Sequence, residues 1–289
     1  MRWWMAALTA SCGCNQVFGL KPTESAPQAD AQYFDAAPDA ALMCPPIGGT
    51  IAFGDVLHAI GASCIWFSSS QATQRQYSVC NQQISEAPID GTFAPVTGVT
   101  AGAGQHLDLA RISPDGTTLY VRRWDDNVAN SRMLIYTRGT SGFSQTGEVT
   151  VTGVPYSSFI TFSAPTSAPS PRMLLHNGAS SDVLEIEIAA NGVASLVHTY
   201  TPGSIGLESF FNAGSISVDG LRMMIVGSTP TGGTLVYADR ASLDVPFGMP
   251  RYAQPLVSTS DLFFDEECTR LYFISGGFSS FWAPRIPTP

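Results

Sequence analysis

Three carboxylates and four cysteines are the residues of this chain whose types and placement could do chemistry. Asp55, Asp108 and Glu208 fall near the ends of short apolar segments. Glycoside hydrolysis needs two carboxyl groups at a defined separation, one to protonate the leaving oxygen and one to act as base or nucleophile. With 23 acidic residues in the chain, three such placements arise easily by chance, so the pattern permits a hydrolase without requiring one. No Gly-x-Ser-x-Gly motif is present, which leaves a serine hydrolase of the α/β type unsupported. His58, His106, His176 and His198 share no position in the repeat described below, and no Cys-x-x-Cys pair exists, so a zinc site is not expected. The sequence therefore assigns no catalytic residue, cofactor or metal ligand.

Cys44, Cys64, Cys80 and Cys268 form an even set once Cys12 and Cys14 are set apart with the N-terminal segment. Such a set suits an oxidising compartment and allows three pairings. Cys64-Ile65-Trp66-Phe67 and Gln76-Tyr77-Ser78-Val79-Cys80 read as the arms of a hairpin centred on Ala72, which sets Cys64 opposite Cys80. Cys44 is then left for Cys268.

The elements that must position these residues announce themselves by repetition. Ile112-Ser113-Pro114-Asp115-Gly116-Thr117-Thr118-Leu119-Tyr120-Val121 recurs as Ile216-Ser217-Val218-Asp219-Gly220-Leu221-Arg222-Met223-Met224-Ile225 and, more loosely, as Phe264-Asp265-Glu266-Glu267-Cys268-Thr269-Arg270-Leu271-Tyr272-Phe273. Each copy runs from an apolar stretch through a polar turn into an apolar strand, as a β-hairpin does. Asp-Gly suits such a turn because Gly tolerates positive φ and Asp hydrogen-bonds the turn backbone, so these aspartates are read as structural. With degenerate copies at Ile65 and Met173, the anchors 65, 119, 173, 223 and 271 are 54, 54, 50 and 48 residues apart. A four-stranded propeller blade takes on the order of 40 to 50 residues. The expected fold is all-β, a β-propeller over residues 48–289 with five blades, or six if one is split between the chain ends. Only one short strand, such as Ser280-Phe281-Trp282, fits after the last anchor, whereas Thr50-Ile51-Ala52-Phe53 has no blade of its own. That N-terminal strand is expected to join the last sheet and close the ring.

The Ser-Pro-Asp-Gly-x-x-Leu-Tyr-Val phrase at 113–121 resembles the WD40-like β-propeller repeat of the TolB type, with looser copies at 217–225 and 265–273. The resemblance implies protein–protein work in the cell envelope.

Met1-Arg2, the apolar Trp3-Trp4-Met5-Ala6-Ala7-Leu8 and the small Thr9-Ala10-Ser11 precede Cys12-Gly13-Cys14. This resembles a bacterial lipoprotein signal, 1–13, which implies acylation of Cys14, with Cys12 the alternative. Asn15 after that cysteine implies sorting to the outer membrane. Residues 14–47 then form an acylated start and a tether rich in Ala, Asp and Pro, too poor in core-forming groups to fold.

Charge narrows the partners. The net charge is -9, becoming -10 once residues 1–13 leave with Arg2, and Lys21 is the sole lysine. Nucleic acid and direct adsorption to an acidic membrane are disfavoured. Arg122-Arg123 is the nearest approach to a basic patch and is expected to pair locally in a loop. Charged residues are 13% of the chain, about half the ordinary share, and no long amphipathic helix is visible. The expectation is a lipid-anchored propeller facing the periplasm or exterior that binds an envelope protein or a glycan without catalysis. The alternative is a carbohydrate hydrolase with carboxylates at the channel.

Overall fold

The computed structural model describes residues 51–286 apart from 55–57, 60–63, 90, 126–130, 155–158, 168–169, 179, 211, 231, 254–260, 266–267 and 276–278. The chain divides at residue 41, and every described residue belongs to the part that follows. Short runs of β-branched and aromatic residues between Gly, Pro, Asn and Asp turns give strands almost throughout; a four-residue 3-10 turn, Pro202–Ile205, interrupts them.

Five sheets form a five-bladed β-propeller. From centre to rim, blade 1 takes Cys64–Ser70, Arg75–Cys80, Gln83–Pro88 and Ala94–Pro95, and blade 2 takes Gln105–Ile112, Thr118–Asp125, Arg132–Gly139 and Gly142–Glu148. Blade 3 takes Phe159–Phe162, Arg172–Asn177, Asp182–Ile188 and Val193–Tyr200, with Thr150–Val151 added in parallel at the rim. The inner strand of blade 4 is split into Ser209–Phe210 and Ser215–Ile216, followed outward by Arg222–Thr229, Gly232–Asp239 and Arg251–Tyr252. Blade 5 takes Leu262–Phe264, Arg270–Ser275 and Ser279–Ile286.

The rim of blade 5 comes from the other end of the chain. Ala52–Phe53 and His58–Ala59 lie antiparallel to Ser279–Ile286, with Ala52 opposite Ile286 and His58 opposite Trp282. Ile51 and Phe53 are buried, and the Phe53 ring meets Phe264 edge-on at 5.9 Å. A strand edge that would otherwise offer unpaired backbone groups is thereby covered and the ring is locked. The C-terminal strand is longer than the Ser280–Trp282 segment expected, and the ring has five blades, not six.

The repeated phrase is the turn joining the first two strands of a blade. Ser113 N donates to Thr118 O and Gly116 N to Ser113 O; Ser217, Arg222 and Gly220 repeat the pattern, as do Asp265, Arg270 and Cys268. Gly116 and Gly220 both have φ of 72°, and Cys268, in the third copy, has φ of 54°. A Cβ on Gly116 would sit 2.2 Å from Thr73 Cγ2, so glycine is required there by space as well as by φ. Asp115 accepts from Thr117 N and from both the Ser113 and Thr117 hydroxyls; burial pushes its carboxyl up, yet these bonds hold it below the usual range. Asp265 stands where Ser113 and Ser217 stand and binds Thr269 instead; burial pushes its carboxyl up to about 6. The blade 1 anchor is corrected by this register. Arg75 answers Ser70 as Thr118 answers Ser113, so the equivalent of Leu119 is Gln76, and Ile65 lies on the inner strand. Its turn, closed by Gln74 N donating to Gln71 O, takes Gln74 at φ of 52° and has no glycine to mark it.

Cys64 and Cys80 form a disulfide with Cα atoms 4.1 Å apart across that blade. The hairpin register slips by one beyond Ile65, at Trp66 and Phe67, where Trp66 takes φ of 63°. Cys268 is also disulfide-bonded. Cys44, the partner expected for it, lies outside the described residues, as do Cys12 and Cys14.

Deleting residues 44–54 removes Ile51, the first rim strand and Cys44 together, and is expected to lower the melting temperature of the whole domain. Deleting 15–40 is expected to leave it nearly unchanged. Circular dichroism melts of both deletions check this, and equal small effects would mean that the N-terminal strand does not lock the ring.

Candidate functional site

Side chains of the inner strands meet at the centre of the ring. Arg111, on the inner strand of blade 2, is fully buried and reaches across the axis. Its Nη2 donates to both carboxylate oxygens of Asp261 of blade 5, at 2.9 and 3.1 Å. Its Nε donates to Phe162 O of blade 3 at 3.1 Å, and its Nη1 donates to Phe67 O of blade 1. Hydroxyl groups on the inner strands continue the circuit. Ser68 Oγ accepts from Ile112 N at 3.1 Å, Thr161 Oγ1 from Ala213 N at 2.8 Å and Ser215 Oγ from Phe264 N at 3.1 Å. Phe67, Phe263, Tyr272 and Ala164 pack around this hub. Burial pushes the Asp261 carboxyl above the usual carboxylate range despite the opposing pull of Arg111.

Of the three carboxylates considered for catalysis, two, Asp108 and Glu208, are described, and they belong to different blades. Asp108 occupies the one-residue bulge of the blade 2 inner strand, between Leu107 and Leu109. Arg122 holds it with two bonds, Nε to Oδ1 at 2.7 Å and Nη2 to Oδ2 at 2.5 Å. Arg122 and Arg123 thus lie in a strand, not in the loop expected, and Arg122 pairs with Asp108 across the sheet. Glu208 is exposed just before the inner strand of blade 4. Asp55 lies outside the described residues. Among the described residues, no three His, Cys, Asp or Glu side chains come together as a metal site. His106 stacks on Trp124 with ring centroids 4.1 Å apart, and Trp66 and Trp282 are half-buried against core clusters. His176 is buried at 6% exposure, and neither ring nitrogen has a hydrogen-bond partner among the described residues. Burial lowers its pKa, opposed weakly by Asp182.

Sequence reading missed the side chains that fill the seams between blades. A position on the third strand of one blade faces a position on the next blade that, in that blade's own register, lies three residues further along. At the first seam these are Glu86 and Arg138, at the third Glu185 and Arg240, and each pair is ion-paired at 2.8 to 2.9 Å. Each arginine also donates to the carbonyl of its own turn glycine, Gly116 or Gly220, and lies over a phenylalanine, Phe143 or Phe247. A tyrosine completes each group: Tyr77 accepts from Arg138, and Tyr200 donates to Glu185 at 2.9 Å. The second seam differs. The equivalent positions there are Ile135 and Ile188, and a groove of about 550 Å³ lies between blades 2 and 3. The only available signal was an arginine following each turn glycine at its blade's third strand, in Tyr-Thr-Arg-Gly at 136–139 and Ala-Asp-Arg-Ala at 238–241.

The fold and the hub define a five-bladed β-propeller with a buried ion pair joining its inner strands. No family model matches this chain, and no curated protein sequence does. Among solved structures it is similar to a gluconolactonase of Xanthomonas campestris, with a TM-score of 0.50 at 12% identity over 77% of this chain and 72% of that one. It is also similar to a calcium-binding regucalcin of Agrobacterium tumefaciens, at TM-score 0.46 and 12% identity over 78% and 77% of the two chains. A periplasmic gluconolactonase of Pseudomonas aeruginosa gives a TM-score of 0.45 at 17% identity over 73% and 62%. At these identities the likeness establishes the fold alone.

Two outcomes follow from the buried charges. Asp261→Asn leaves Arg111 charged and unpaired in the hub and is expected to cost about 3 to 5 kcal/mol in denaturant unfolding. Replacing both partners, Arg111→Met with Asp261→Leu, is expected to recover most of that loss, because desolvation of the pair offsets much of its attraction. His176 titrates in the opposite sense to a paired histidine. The unfolded chain takes up its proton near pH 6.5 while the folded site resists it, so stability falls as pH drops below that value. His176→Leu is expected to shrink the fall in melting temperature between neutral and mildly acid pH, and an unchanged fall would mean that another group carries the acid limb.

Proposed function

We propose that this propeller is a non-enzymatic binding module of the bacterial cell envelope, held to a membrane by lipid on Cys14 and presenting its blades to a protein or glycan partner. The observation that carries the reading is the pairing of its central charges. Arg111 and Asp261 are bound to each other, and Asp108 to Arg122, so these groups are satisfied internally and do not aim at a common vacant point. A propeller whose centre is committed to holding the ring offers its outer surfaces for recognition. The WD40-like resemblance of the turn phrase and the acidic net charge of -9 agree with a protein or glycan partner and argue against nucleic acid. The lipoprotein-like start supports an outer-membrane address, with the domain facing the periplasm or the exterior.

A second reading, a hydrolase of sugar lactones or glycosides, is favoured by the fold shared with the Xanthomonas gluconolactonase. In that reading Asp108, at the bulged inner strand, is the carboxylate to test, and it would have to release Arg122 during turnover. The full chain incubated with gluconolactone and aryl glycosides, with and without added Ca²⁺ or Zn²⁺, is expected to show no turnover above the uncatalysed rate. Turnover abolished by Asp108→Asn would replace the binding reading with the hydrolase. The anchored protein is expected to enter a detergent phase and to lose that behaviour on Cys14→Ser; retention after the substitution would direct the lipid to Cys12.

A further inference from the structure

We infer that the groove between blades 2 and 3 is a binding site for a neutral saccharide, made by two isoleucines standing where the neighbouring seams carry an arginine–carboxylate pair. This deepens the binding-module reading and rests on it. At the first and third seams, the long arginine with its carboxylate, tyrosine and phenylalanine fills the space between sheets. The fourth seam has Tyr237 and Arg285 at the corresponding positions, and the fifth has Trp282 and Ile89. Only the second has two aliphatic side chains of modest length, Ile135 and Ile188. The tyrosine of the first seam is kept, as Tyr120 in the place of Tyr77, with Ile135 opposite it where Tyr77 has Glu86.

The lining fits one ligand chemistry. Tyr120 and Ile188, both buried, form the floor together with Ile135 and Pro171. Thr118, Thr137 and Thr146 carry hydroxyls along the blade 2 wall, Thr137 and Thr146 being 2.9 Å apart, and Asn191 supplies an amide from the blade 3 turn. Among the described residues, no charged side chain lines the groove. Burial keeps Tyr120 neutral, with its pKa pushed up to about 12. An apolar floor under neutral hydroxyl and amide groups matches the apolar face and the hydroxyl rim of a sugar ring, and 550 Å³ lies within the usual range for small-ligand sites. An anion has no cation to meet there. An extended peptide added to the blade edge is disfavoured, because the rim strand Gly142–Glu148 bulges between Gln145 and Gly147, the very residue that lines the groove.

The test is calorimetric and saturation-transfer titration of the full chain with glucose, N-acetylglucosamine, maltose and cellobiose. Binding of at least one is expected. Thr137→Val and Asn191→Ala are each expected to weaken it roughly tenfold, or about 1.4 kcal/mol, with melting temperatures measured alongside, because Asn191 Oδ1 also accepts from Val193 N at 3.0 Å in its turn. The double variant Ile135→Glu with Ile188→Arg installs the pair found at the first and third seams and is expected to abolish binding without lowering the melting temperature. If that variant fails to fold, the two single substitutions decide. A sugar that binds all variants equally would place the site elsewhere and overturn this inference while leaving the binding-module reading intact. Failure of all four sugars to bind would overturn it as well, leaving a protein partner for the module.

Discussion

The ring is held at its hub by one arginine. Arg111 touches blade 1 through Phe67 O, blade 3 through Phe162 O and blade 5 through Asp261, so a single side chain bonds inner strands of three blades besides its own. Blade 4 is bound in by neutral hydroxyl contacts, Thr161 to Ala213 on one side and Ser215 to Phe264 on the other. A guanidinium is suited to this place because its five donors lie in a fixed planar fork and it stays charged when buried. The cost is desolvation, visible in the raised pKa of Asp261 even beside a cation. A buried pair of this kind is weak support for stability as such. What it supplies is geometry, since its four bonds form together only when four blades stand at the correct angles.

The seams outside the hub obey a looser rule. Two sheets face to face ordinarily fill the space between them at crystal-like density, and the seams of this ring do not all use the same chemistry. Charged clusters under a phenylalanine serve at the first and third, and the fifth is filled by Phe67, Phe93, Tyr272 and half-buried Trp282. The turn glycines belong to this second layer. Gly116 and Gly220 make the hairpin possible, and their carbonyls also receive the seam arginines. The repeated phrase is thus a local turn signal and one component of blade-to-blade attachment.

This division explains what the sequence discloses. The phrase is legible because a tight turn demands a positive φ and so leaves Gly, or once Cys268, at a fixed place beside an apolar strand. Closure by the N-terminal strand is legible by counting, because one sheet lacks a strand and one strand lacks a sheet. The blade 1 register is hidden because its turn has no glycine and because Trp66, in the bulge, adopts φ of 63° without any sequence mark. The hub is hidden for a different reason. Arg111 and Asp261 are 150 residues apart, and each looks like a solvent-facing charge until the strands are placed. Two charged residues, Asp108 and Arg111, interrupt the apolar run Leu107 to Ile112, and that was the one available hint. The seam pairs become visible only after all five blades share one register, because their partners sit on different repeats.

Hub and seam together bear on why the second seam holds a groove instead of collapsing. In an ordinary core, replacing a large ion pair with two isoleucines lets neighbours move inward and recover contacts, and the loss is felt as cavity energy. Here blades 2 and 3 cannot close on each other by rotating about the axis, because Arg111 of blade 2 is bonded to Phe162 O of blade 3 while also tied to blades 1 and 5. At the rim, Thr150 N donates to Gly192 O and Thr152 N to Ala194 O, so the connection leaving blade 2 is already built into blade 3. The seam is pinned at its inner and outer ends, and the space between them is preformed. A preformed slot spares a ligand the ordering cost that a collapsed or mobile one would impose. The charged hub that joins the inner strands is thereby the same feature that keeps the space between blades 2 and 3 open beside it.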